Sequence, residues 1–324
     1  MNVFITGATG FIGGALCRAY AARGDRVFAF HRATSNLRQL ENLAVEHVIG
    51  DLTQPDTVSA AMQGMDAVFH TAAWVGMNDP GRLYAINVEG TRTVVQAALK
   101  AGVKRLIYTS SVAALGIPAP GTPVLLDENH TWNFRPEFFP YGYAKYLAEL
   151  EVEKGVAQGL DAVIVNPSLV IGPGDLYRQS SSVVLKIANR KVGVIVEGGA
   201  NVIHVDDVAL GQIAAFELGK TGERYILGGK NITYREMANT IARVTGVPAP
   251  TVVLPGSLVR ALRGPARLVE HYIELQVTTD VFVLAGRYLY YDTQKAMTQL
   301  SMPEPRSLEQ AAAEAFAWFS AKHT

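Results

Sequence analysis

Residues able to do chemistry crowd into "FFPYGYAKYLAE", residues 138–149, where three tyrosines stand within a few positions of one lysine. On an α-helix, positions four apart share a face and positions two apart point nearly opposite ways. Tyr141 therefore lies beside Lys145, and Tyr143 does not. A nearby ammonium stabilises tyrosinate and lowers the phenol pKa from its ordinary value of roughly 10, so that Tyr141 would exchange a proton with a substrate oxygen near neutral pH. The run "RLIYTSSVAALG" reads as a strand ending in Ser110 and Ser111, where a hydroxyl can bond that same oxygen.

A second group of residues has the chemistry of dinucleotide binding. "FITGATGFIGG" sets Gly7, Gly10 and Gly13 directly after a first strand and at the opening of a first helix, so that backbone N–H groups and the helix dipole can approach a pyrophosphate. The end of the second strand should face the adenosine ribose, where a carboxylate selects NAD and an arginine accepts the 2′-phosphate of NADP. Here "FAFHRATSN" offers His31 and Arg32 and no acid. NADP is the expected cofactor, NAD the alternative, with a solvated surface arginine as the plainer reading of Arg32. Asp51 of "GDLTQP" suits an adenine amino group, and "HTAA" supplies the small residues Thr71, Ala72 and Ala73 beneath the cofactor. His70 reads as a satisfied strand-end histidine.

The elements that must position these residues alternate. Short apolar runs ("NVFIT", "RVFAF", "VEHVI", "DAVFH", "RLIYTS", "DAVIVNP") are separated by segments of helical period, including Phe11 to Arg23, Arg82 to Ala101 and Tyr141 to Gln158. This pattern predicts a Rossmann-type, doubly wound parallel sheet over residues 1–170. Gly24, Gly102 and Gly159 stand where left-handed C-caps would end the helices. After the breaker cluster Gly172, Pro173 and Gly174, residues 171–324 read as a smaller C-terminal α/β substrate lobe, some of whose segments return to the first domain. That lobe is expected to hold a helix from Tyr234 to Thr245, caps at Asp206 and Asp207, and a closing helix from Leu308 to Lys322.

Composition narrows the function classes. Of 324 residues, 49% are hydrophobic and 18% charged, and Lys plus Arg balance Asp plus Glu at 29 each, which leaves no electrostatic footprint for nucleic acid. Cys17 is the one cysteine and lies among apolar residues, so no intrachain disulfide forms and a cytoplasmic setting is expected. Prolines and glycines within Leu106–Leu126 break that uncharged run, and no membrane insertion is expected. The seven histidines show no i,i+4 pair and no cluster with acids, so no metal is expected. Arg260, Arg263 and Arg267 fall near one helical face and could clamp a diphosphate or meet a membrane surface. Their plainer role is a surface helix with arginine stems over apolar residues.

The motifs "TGATGFIG", "GDL", "HTAA", "NVEGT", "YTSS", "YGYAK", "NPSLVIGPGD" and "IHVDDVA" follow one another along nearly the whole chain. In this order and spacing they resemble the extended short-chain dehydrogenase/reductases, and "R-x-T-S-N" with "NPSLVIGP" is similar to the dihydroflavonol-reductase-like branch. The resemblance implies that Ser111, Tyr141 and Lys145 are the catalytic residues. It implies cofactor contacts from Thr9, Phe11, Ile12, Leu52, Asn87, Thr109, Pro167 and Val170 beside the residues above, with Tyr143 and Tyr146 lining the substrate or packing. Dehydratases of this kind carry an Asp-Glu pair where Val112 and Ala113 stand, which sets elimination aside. Arg32 and "VAALG" favour an NADP(H)-dependent carbonyl reductase over a nucleotide-sugar epimerase. A non-catalytic NADP-sensing protein is the third reading. Family members commonly form homodimers through the two long helices, here Arg82 to Ala101 and Tyr141 to Gln158. Trp74, Met77, Trp132 and Phe134 are expected at the wall facing a small-molecule substrate.

Overall fold

The computed structural model describes residues 1–76, 79–178, 180–262 and 279–321; Met77, Arg263, Arg267 and the expected helix end at Lys322 lie outside them. In chain order the strands are β1 (Asn2–Thr6), β2 (Arg26–His31), β3 (Val45–Ile49), β4 (Ala67–His70), β5 (Arg105–Thr109), β6 (Leu125–Leu126), β7 (Ala162–Pro167), β8 (Leu169–Ile171), β9 (Val194–Val196), β10 (Gly199–His204), β11 (Arg224–Leu227), β12 (Lys230–Thr233), β13 (Val252–Leu254) and β14 (Tyr288–Tyr291). Seven of them form one parallel sheet in the order β11-β7-β5-β4-β1-β2-β3. The expected doubly wound sheet is therefore present, and its order reverses between β1 and β4, where such sheets bind ligands.

Helices cover both faces because successive strand residues point to opposite sides. Val3, Ile5, Ala29, Phe69 and Val163 face α1 (Phe11–Ala22), with Cys17 fully buried among them and its thiol pushed up to about 12 by burial. Phe4, Val68, Leu106 and Ile164 face the other way. They pack against α2 (Pro55–Ala61), α4 (Gly90–Ala101) and α5 (Pro140–Ala157). The expected single helix from Arg82 is instead α3 (Pro80–Tyr84), a π-turn over Ala85–Glu89, and α4. Gly102 does adopt the left-handed C-cap, at φ 65°.

Beyond β7 the chain crosses at Ser168 into β8, which pairs with β10 in a second sheet. Helices α6 (Ser182–Ala188), α8 (Tyr234–Thr245) and the closing helix Leu308–Ser320 enclose this lobe's own core around Val202, Ile232, Ile241 and Phe319. Helix α7 (Val205–Leu218) packs on α1, and β11 completes the main sheet. The cap of α7 is His204, whose Nδ1 accepts from the Asp206 N–H at 3.0 Å, rather than Asp206 or Asp207. Asp207 instead pairs with Arg306. No described helix is long and apolar enough to cross a membrane.

His70 sits at the end of β4 as a fully enclosed ring. Thr91 Oγ1 donates to the Asn87 carbonyl at 2.6 Å and so accepts from His70 Nε2 at 3.1 Å, which leaves Nδ1 to accept from Thr6 Oγ1 at 2.7 Å. Burial first, and then the nearby Lys145 charge, hold its pKa down at about 3. The unfolded chain binds this proton at the ordinary value of about 6.5, so stability is lost as pH falls from there toward the folded value. We predict that His70→Asn costs about 1–3 kcal/mol at neutral pH and removes one proton from the acid slope of stability, read by urea unfolding across that range.

Candidate active site

A cavity of about 1100 Å³ runs along the carboxyl edge of the main sheet and out under the second lobe. At one end, β1 delivers the turn Gly7–Thr9–Gly10 and α1 begins with Phe11, Ile12 and Gly13 against the cavity. Glycine is required here for space. Gly7 has φ 66°, and a Cβ on it would lie 2.7 Å from the Ala72 backbone; one on Gly13 would lie 2.2 Å from the Gly7 carbonyl. Gly10 caps α1 without a side chain, so the helix's first N–H groups carry no side-chain cap and their dipole faces the cavity. A dinucleotide pyrophosphate fits that cradle. Gly13→Ala is predicted to destabilise the fold by about 1–3 kcal/mol and to abolish dinucleotide binding, checked by thermal melts and nucleotide fluorescence.

After β2, His31 Nδ1 meets the Arg32 carbonyl at 3.0 Å and Ser35 N–H donates to that same oxygen at 3.0 Å, shaping a turn that presents Arg32 and Ser35 to the cavity. Arg32 is exposed and has no carboxylate partner among the described residues. Asp51, Leu52, Thr71, Ala72 and Ala73 line the same stretch, with Asp51 Oδ1 accepting from Thr53 N–H at 2.9 Å. Asn87 does not line it. Both ends of its amide are spent on Trp74, accepting from the N–H at 2.7 Å and donating to the carbonyl at 2.8 Å. Within the π-turn it therefore fixes the loop that carries Trp74, a role the motif did not disclose.

At the far end α5 brings Tyr141 and Lys145 to the cavity on one face, and β5 brings Thr109, Ser110 and Ser111. The Ser111 side chain is the polar neighbour that favours ionisation of the Tyr141 hydroxyl. Lys145, 1% exposed, donates from Nζ to the Thr109 carbonyl at 2.7 Å and stands 4.5 Å from the centre of the Tyr108 ring. The expected lowering of the tyrosine is not found: burial pushes Tyr141 up to about 12, with the Ser111 side chain acting the other way. The ammonium is itself drawn down to about 7 by burial, and it donates a hydrogen bond to the Thr109 carbonyl. Tyr141 is thus held protonated, as a donor.

Pro167, Ser168, Leu169, Val170, Asp175, Tyr177, Leu289 and Tyr291 close the cavity from the second lobe. Trp74 lines it, and Arg82 lies over that indole at 3.9 Å. Trp132 and Phe134 do not, contrary to expectation: Trp132 stacks with Phe139, Tyr143 and Tyr146, and Arg287 covers Phe134. Tyr143 and Tyr146 are packing residues. His204, which is buried, and the half-buried Asp206 and Glu314 form a cluster, but both ring nitrogens of His204 already have protein partners, Asp206 N–H and Glu314 Oε2. Ser35, Thr53 and Ser168 also line the cavity, inside the motifs "R-x-T-S-N", "GDLTQP" and "NPSLVIGP" but not named there as contacts; Tyr291 lines it too, and nothing in the sequence distinguishes it from other aromatic residues.

Comparison with known proteins agrees with this fold. The model of the NAD dependent epimerase/dehydratase family matches residues 3–228. The chain belongs to that family. A Synechocystis sp. protein named for dihydroflavonol 4-reductase is 38% identical over 98% of this chain and 94% of its own. The sterol demethylase protein B of Methylococcus capsulatus is 35% identical over 81% of this chain and 80% of its own. A nucleoside-diphosphate-sugar epimerase from Pseudomonas aeruginosa superimposes with a TM-score of 0.84 at 26% identity, over 99% and 98% of the two chains. The relatives of this member of the extended short-chain dehydrogenase/reductases thus bear the names of both reductases and epimerases.

Proposed function

We propose that this protein is an NADP(H)-dependent oxidoreductase that reduces a carbonyl group of an apolar small molecule to an alcohol. The observation that carries the reading is the Tyr141 hydroxyl, with Ser111 as its polar neighbour and Lys145 one turn away, at the end of a cavity that begins at the glycine turn and Arg32. The nicotinamide, when bound, supplies the hydride. Tyr141 gives its proton to the alkoxide that develops on the substrate, Ser111 orients that oxygen, and Lys145 holds a ribose hydroxyl with the N–H groups it does not spend on Thr109. Tyr141, protonated at neutral pH, starts in the state that reduction requires.

Arg32 and Ser35 would take the 2′-phosphate and Asp51 the adenine. Leu169, Leu289, Tyr291 and Trp74 give the substrate end an apolar wall, and the dihydroflavonol and the sterol in the names of the two relatives are in keeping with it. Nucleotide-sugar epimerisation is the second reading, favoured by the Pseudomonas structure.

Two variants test the assignment. Tyr141→Phe should lower turnover at least about a hundredfold while leaving NADPH affinity nearly intact by fluorescence titration; substantial residual turnover would show that another group is the acid. Arg32→Ala should weaken NADPH about tenfold, roughly 1.4 kcal/mol, and leave NADH unchanged. Equal losses for both nucleotides would assign Arg32 no part in reading the phosphate.

A further inference from the structure

Glu149 lies one turn beyond Lys145 on α5, so Tyr141, Lys145 and Glu149 form a single i,i+4 row. A carboxylate 1% exposed in the middle of an α/β core is costly unless donors surround it. Here they do. Asn166 Nδ2 donates to Glu149 Oε1 at 2.6 Å and Arg224 Nη1 donates to Oε2 at 3.2 Å. The Asn166 amide also donates to the Ser111 carbonyl at 3.0 Å. One buried chain therefore runs from the strand end that carries Ser111, through Asn166 and Glu149, to Arg224 on β11. None of Glu149, Asn166 or Arg224 borders the cavity, so none touches substrate or cofactor.

We propose that Glu149 is a positioning residue, the buried counter-ion that keeps Lys145 an ammonium beside Tyr141. The groups facing Lys145 leave this role to Glu149. His70 on β4 is held neutral, Tyr108 on β5 offers only a ring face, and Tyr141 is un-ionised. Arg224 stands behind the carboxylate and fixes it. Burial draws Lys145 down to about 7, and Glu149 is the influence that raises it. Burial also pushes the Glu149 carboxyl up, and the Arg224 charge, the Asn166 hydrogen bond and Lys145 itself hold it back. Without the Glu149 charge the lysine would give up its proton at lower pH still. The proposal rests on Lys145 serving Tyr141 in the reaction inferred above, but the charge on Lys145 can be read without turnover.

The experiment is an NMR titration of the full chain carrying isotope-labelled lysine, with the Lys145 side-chain signal assigned by its loss in Lys145→Met. In Glu149→Gln, which keeps the side-chain shape, the Lys145 midpoint should move to lower pH by at least about one unit, and the pH above which NADPH binding weakens should move with it. A folded Glu149→Gln whose Lys145 midpoint stays in place would overturn the proposal and leave Glu149 a packing partner of Asn166 and Arg224. Should that variant not fold, Asn166→Leu reads the same coupling without altering a charge: with its shortest hydrogen bond gone, Glu149 retains its proton more readily, and the lysine midpoint should again fall. An unmoved midpoint there would equally overturn the proposal. Failure of the wild type to oxidise NADPH would refute the reductase assignment and not this titration.

Discussion

Burying the Lys145 ammonium is the constraint on which the rest of the site depends. An isolated cation in a protein interior is expensive and gives up its proton unless partners compensate. The fold assembles those partners from separate elements: a carbonyl from the end of β5, a ring face from Tyr108, and a carboxylate one turn along α5. This arrangement holds only while α5 lies against the β5 end of the sheet. Gly142 is necessary there, because a Cβ at that position would come within 2.7 Å of the Ala113 carbonyl. The short 3-10 turn over Val112–Leu115 follows directly, with Ser111 as its cap.

The same sheet edge explains why the two ends of the cavity face each other. The strand order reverses between β1 and β4, so the glycine turn after β1 and the small residues after β4 open a crevice together. β5 and β7 extend the edge toward the second lobe, and β8 leaves the main sheet immediately after Pro167 to pair with β10. Cofactor-type residues thus come from the parallel sheet, while the wall beyond Tyr141 comes from Leu169, Tyr177, Leu289 and Tyr291. On the proposed reading, reaction chemistry and substrate selection would be carried by different parts of the chain, in keeping with relatives whose names span several activities.

Much of this was legible in the sequence because it is local. The i,i+4 spacing of Tyr141 and Lys145, the glycines between a strand and a helix, and the alternation of strands and helices each lie within a few residues, and all three appear in the fold. What stayed hidden depends on distant contacts. Glu149 stood in the same short stretch as Tyr141, yet its partners Asn166 and Arg224 are 17 and 75 positions away. The direction of the tyrosine shift was misjudged because spacing gives the neighbouring charge but not the desolvation, and burial is the largest influence on Tyr141. Asn87 and Trp132 carried the right residue types for a ligand contact; the π-turn spends one on the Trp74 backbone, and an aromatic stack takes up the other.

On the proposed reading, hydride and proton reach a substrate carbonyl from NADPH and Tyr141. The most direct measurement supplies NADPH deuterated at the transferable position together with a panel of apolar ketones and follows both partners by mass spectrometry. The account predicts one deuterium on the carbon of the new alcohol for each NADPH oxidised, and loss of both signals in Tyr141→Phe. Protein that arrives with tightly held NAD, consumes no NADPH and inverts a nucleotide sugar without net oxidation would contradict it.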